Sequence, residues 1–89
     1  MKSSKFNPQL KEVYLEVVEN QLRDNKPPET RQTLERLLKE GYNRNDAIII
    51  IASAIAAEMF FVLKSGKEFN RERFVRNLNQ LPDQSFEGS

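Results

Sequence analysis

The 89-residue chain contains no cysteine, no histidine and no tryptophan. Without cysteine there is no disulfide, thiolate ligand or thiol nucleophile, and a small secreted domain without such staples is unusual. A reducing cytoplasm is the expected compartment. The missing histidine excludes more, because imidazole is the commonest general base and the commonest neutral metal ligand. Glycine is scarce, with three residues in all, and none belongs to a phosphate-cradling loop. Carboxylates, lysines, Tyr14 and Tyr42 remain for acid–base chemistry. No recognisable motif joins them, so the chain is not expected to be an enzyme, and no cofactor is expected.

An excess of charge is also lacking. Fourteen Lys plus Arg stand against thirteen Asp plus Glu, a formal net charge of +1. No global field therefore recruits nucleic acid or an anionic membrane. The charged start, Met1-Lys2-Ser3-Ser4-Lys5, leads into Phe6-Asn7-Pro8 and not into an apolar run, so a secretory signal is not expected.

What is present suits one folded domain. Hydrophobic residues make up 38% and charged residues 30%, too apolar and too balanced for a disordered tail. A chain of this length buries about 60–65% of the surface it exposes when unfolded. Helical periodicity recurs four times, and no strand pattern or repeat is visible. The expected fold is all-α, a compact bundle of about four helices over roughly 8–25, 28–40, 44–64 and 71–81, with the third central. Residues 7–81 form the single domain, between a flexible N-terminus at 1–6 and a flexible tail at 82–89.

The boundaries follow from capping chemistry. Asn7-Pro8 reads as an N-cap and a first-turn proline. Leu10, Val13, Tyr14, Val17, Val18 and Gln21 then share one side of the first helix, and Lys26-Pro27-Pro28 ends it. Pro28 opens the second helix, with Thr30, Thr33, Leu34, Leu37 and Leu38 inward and Gly41 at its close. Asn43 caps the third and Asn70 the fourth. Phe69 and Phe74 flank that last start as a hydrophobic staple, and Pro82 follows Leu81.

From Ala47 to Leu63 only Ser53 and Glu58 interrupt an apolar run. A helix apolar nearly all round must be buried nearly all round. Its length is at the lower limit for a membrane span, but Glu58 and the three amphipathic neighbours argue for a protein core, and no membrane is expected. Three short neighbours can fail to cover such a helix, in which case a second copy of the chain covers the rest. The small-residue rows Ala52, Ser53, Ala56 and Ala57, with Ile50 and Ile51, are the candidate interaction surface, against the competing expectation that they receive helices of the same molecule.

Glu58 is the candidate buried polar group, and a buried carboxylate must be paired, hydrogen-bonded or protonated. The favoured expectation places it at the edge of the bundle, reaching solvent or pairing with Lys64, Arg44 or a side chain of the first helix. Glu12, Glu16 and Glu19 line one helix face, where solvation is expected in preference to a bound cation. Lys64, Lys67, Arg71, Arg73 and Arg76 form a candidate basic patch, partly offset by Glu68 and Glu72. Its interleaved Phe69 and Phe74 are needed for packing, so nucleic-acid binding is not expected, on charge and on stacking grounds.

Asn7-Pro8 with Leu10, Val18-Glu19-Asn20-Gln21-Leu22, Pro27-Pro28-Glu29, Arg36-Leu37-Leu38 with Gly41, and Arg44 with Ala47-Ile48 resemble a family of small bacterial all-helical domains of unknown function. The resemblance covers most of residues 7–81. It implies a bacterial origin and a helical fold. Members of that family tend to carry histidines where this chain has Lys11, Leu15 and Ile49, side chains that cannot coordinate zinc or iron. The resemblance thus implies a diverged scaffold that has lost its ligands, with Glu19 and Glu58 as remnants. The leading expectation is a non-catalytic protein-interaction module, as a homodimer or with another protein. The alternatives are a diverged metal-binding or enzymatic scaffold and a weak nucleic-acid binder.

Overall fold

Four helices form: α1 (Pro8–Asp24), α2 (Pro28–Lys39), α3 (Arg44–Ser65) and α4 (Arg71–Gln80). The computed structural model of the chain describes residues 8–84. The expected cap Asn7, the N-terminal segment 1–6 and residues 85–89 lie outside the described residues, as does the side chain of Leu10.

Each helix ends where its capping chemistry says it should. Asn43 accepts the Asp46 N–H on Oδ1 at 2.8 Å, and Asn70 accepts the Arg73 N–H in the same way at 2.9 Å. These bonds satisfy donors that have no partner within the helix. Gly66, at φ 73°, turns the chain out of α3 in the left-handed region. Helices α1 and α2 close alike. Asn25, at φ 53°, and Gly41, at φ 107°, occupy the left-handed position after the last turn. The Lys26 N–H then returns to Gln21 O and the Tyr42 N–H to Leu37 O, each at 3.1 Å, the paired closure of a Schellman motif.

The core gathers on α3, which packs against each of the other three helices. Ala47, Ile51, Ala54 and Ile55 are at most 1% exposed. They meet Val18 and Leu22 of α1, Leu34 and Leu37 of α2, and Phe74 and Leu78 of α4, all buried in one cluster with Leu81. By length and a mean hydropathy of 2.2, α3 could cross a membrane. In this structure it is the central rod of a bundle with a radius of gyration of 12.8 Å, close to the value of about 12 Å for a compact domain of this size.

The inner faces differ from expectation at their margins. On α1, Val13 is half exposed while Leu22 is buried, a rotation of the face by a fraction of a turn. On α2, Thr30, Thr33, Leu34 and Leu37 are buried as expected and Leu38 is not. On the outer side of α2, Arg36 pairs with Glu40 at 3.2 Å. Arg31 sends Nη2 to Leu22 O, the end of α1, at 2.6 Å. Beside it Thr30 Oγ1 donates to Gln21 Oε1 at 2.8 Å. Phe69 and Phe74 form the staple, with ring centroids 5.6 Å apart.

A guanidinium also closes α4. Arg36 donates from Nη1 to Leu81 O at 2.7 Å and from Nη2 to Leu78 O at 2.9 Å. Carbonyls that lack helical donors are satisfied, and positive charge sits at the negative end of the helix dipole. Arg36→Met keeps the aliphatic stem and removes both donors, so urea unfolding is expected to show a loss of about 1.5 kcal/mol. Arg23→Met, which removes an exposed pair with Asp24, is expected to shift stability by less than about 0.5 kcal/mol.

Candidate functional site

Glu58 sits on the face of α3 turned toward α4 and is 1% exposed. Gly66 ends α3 and lets residues 67–70 double back, which brings the start of α4 over the carboxylate. Arg73 then forks it, from Nε to Oε1 at 2.9 Å and from Nη2 to Oε2 at 2.6 Å. The Asn70 N–H donates to Oε2 at 2.9 Å. The carboxylate thus also complements the positive end of α4. The Arg73 guanidinium in turn lies 3.7 Å from the centre of the Phe61 ring, a cation–π contact that replaces water.

The expected edge position of Glu58 is therefore corrected, since the carboxylate is buried and does not reach solvent, and so are its expected partners. Arg44 is engaged by Glu19 across α1 and α3, with two contacts at 3.0 and 3.1 Å. Lys64 lies 5.8 Å from the centre of the Phe60 ring. Arg73 is fifteen residues along the chain from Glu58, and its sequence neighbours carry no signal for the contact. Planar, bidentate geometry suits arginine and not lysine for this position.

The expected basic patch divides. Arg73 is inside, paired with Glu58, and Arg71 reaches Glu29 at 3.0 Å. Lys67 and Arg76 are exposed, and Lys64 lies over Phe60. Glu12, Glu16 and Glu19 are exposed on α1 as expected. Among the described residues no three acidic side chains converge in a way that could hold a metal ion. Glu19 and Glu58 lie at separate places, each occupied by an arginine. A groove between the α1–α2 turn and the start of α4 is lined by Gln21, Lys26, Pro27, Pro28, Phe69 and Arg71, and it does not include Glu58.

The expected interaction surface also divides. Ile51 and Ala52 are 0% and 6% exposed, so they belong to the chain's own core and not to a contact surface. Ile50, Ser53, Ala56 and Ala57 are half-buried. The open side of α3 is instead led by Ile49 at 43%, Phe60 at 54% and Leu63 at 82% exposed. With Ser53 and Ala56 these recur every three to four residues, so they form one stripe along the helix. The Gln84 amide donates to Ser53 Oγ at 3.0 Å at one edge of it. Burial all round α3 is thus not achieved by the described residues, which leave Phe60 and Leu63 exposed on one side of its last two turns. Sequence reasoning missed Ile49, Phe60 and Leu63 because uniform apolarity carries no phase. The signal that could have found the uncovered side is indirect, namely that three short helices leave part of a central one open.

Bond by bond, the Glu58 clamp is structural. Both carboxylate oxygens are engaged, and the pair ties α3 to α4. Removing one partner leaves a buried charge unpaired. Glu58→Gln or Arg73→Met is therefore expected to cost roughly 3–5 kcal/mol in denaturant unfolding, and Glu58→Met with Arg73→Met to recover most of that loss.

The exposed pair behaves differently. The hydrogen bonds from Arg44 lower the Glu19 carboxyl below its ordinary value, with the Arg44 charge acting in the same direction against partial burial. A lowered carboxyl adds stability above the ordinary carboxylate range and loses it as pH falls through the folded-state value. Glu19→Gln is expected to cost about 0.5 kcal/mol at pH 7 and nothing at pH 2, read from urea midpoints across that range. In comparison with known proteins, the chain matches no family model, no curated protein and no solved structure.

Proposed function

We propose that the chain is a non-catalytic protein-interaction module whose contact surface is the exposed stripe of α3. The carrying observation is Leu63, 82% exposed beside Phe60 at 54% on the most apolar helix of the bundle. A small domain rarely leaves large apolar side chains contiguous on its surface unless something covers them. Aromatic and aliphatic anchors on a rigid helix are the usual centre of a protein–protein contact. The absence of cysteine and the resemblance to small bacterial domains support a bacterial, cytoplasmic setting.

The other chemistries are less well supported. Glu58 and Glu19 both engage arginine, which leaves neither acidic remnant open to a metal. Two of the five cations proposed for nucleic acid are paired with carboxylates, so that surface lacks the continuous charge that phosphate binding needs.

A photoreactive benzophenone side chain placed at Phe60 tests the reading in cells. It is expected to yield discrete covalent protein adducts, and the same group at exposed Gln32 of α2 is not. Equal labelling at both positions would overturn the proposal. Phe60→Asp with Leu63→Asp is expected to leave the circular dichroism of the folded bundle unchanged, because neither side chain lies in the core.

A further inference from the structure

We propose that the occupant of the α3 stripe is a second copy of this chain, packed antiparallel, with Ala56 at the two-fold axis. The proposal rests on the interaction reading above and names its partner.

The stripe is close to symmetric about its middle. Ile49 lies seven residues before Ala56 and Leu63 seven after it, while Ser53 and Phe60 lie three before and four after. Two copies related by a perpendicular two-fold place Ile49 of each against Leu63 of the other and Ser53 of each against Phe60 of the other. Large side chains face large ones at the ends, and small face large inside them. The methyl groups of the two Ala56 residues meet at the waist, where a larger side chain would hold the helices apart. A two-fold contact uses one patch twice, so it requires this kind of self-complementarity.

Charge fixes the direction. Asp46 and Lys64 are eighteen residues apart on α3, about five full turns, so they share one edge of the helix. Both are exposed. A perpendicular two-fold keeps that edge on the same side of the pair and reverses its order, which brings Asp46 of each copy beside Lys64 of the other. A parallel two-fold sends the two edges to opposite sides of the pair, so neither cross-pair forms and the antiparallel form is favoured. The helix dipoles oppose each other only in the antiparallel form. Gln84 contacts Ser53, the one polar member of the stripe, while Ile49, Phe60 and Leu63 are exposed.

Light scattering of the full chain across micromolar concentrations is expected to give a mass of twice 10.4 kDa. Asp46→Lys alone and Lys64→Asp alone each turn both cross-pairs repulsive, and each is expected to raise the dissociation constant about tenfold. In a one-to-one mixture of the two variants, each end of the mixed pair again carries one carboxylate and one ammonium group. The mixture is therefore expected to recover the parent dissociation constant within about twofold. Both variants keep the core intact, and circular dichroism checks that each is folded. A parent dimer whose mixed variants fail to recover overturns the antiparallel geometry. A monomer at every concentration overturns self-pairing. In that case benzophenone adducts at position 60 with a different protein leave the interaction reading standing, and no adducts at all remove both.

Discussion

The need to keep α3 out of water governs the rest of the structure. Twenty-two residues of helix with only two polar interruptions inside the apolar run cannot stand alone, and burying each large aliphatic side chain contributes on the order of 2 kcal/mol. The three amphipathic helices are short, and each lends only one face. They succeed because they meet α3 on adjacent sides and brace one another, α1 against α2 and α2 against α4. A fourth side is left over. No helix remains to cover Phe60 and Leu63 among the described residues.

Packing alone would leave α4 poorly specified, since it offers only ten residues. The Glu58–Arg73 fork supplies the missing constraint. A buried ion pair gains little net stability over well-packed apolar groups, because desolvating two charges offsets most of their attraction. Its distances and angles are strict, however, and they determine where the start of α4 must sit. The Asn70 N–H on the same carboxylate fixes the helix entry, and the Phe69–Phe74 contact fixes its angle. One interaction thus links the centre of the bundle to its shortest element.

Much of this is legible in the sequence. Asn43, Asn70, Pro28 and Gly41 carry strong local capping chemistry, and the helices begin and end at those residues. The central role of α3 follows from composition. The candidate site is harder to read. Glu58 can be singled out, since a charge in an apolar run is conspicuous, but its partner lies across a tertiary turn and local pattern cannot see it. The open stripe escapes for a different reason. Ile49, Ile50 and Ile51 are identical in character, and only the directions taken by the other helices decide that Ile51 is core and Ile49 is not. Small-residue spacing puts Ala52 on the surface, yet it is inside.

Five arginines among the described residues, Arg31, Arg36, Arg44, Arg71 and Arg73, join one element to another through carbonyl or carboxylate oxygens. Guanidinium keeps its proton across every acidity a cell presents, and imidazole, the side chain that ordinarily changes charge near neutrality, is absent. Near neutrality these joints therefore keep the positive charge on which they depend.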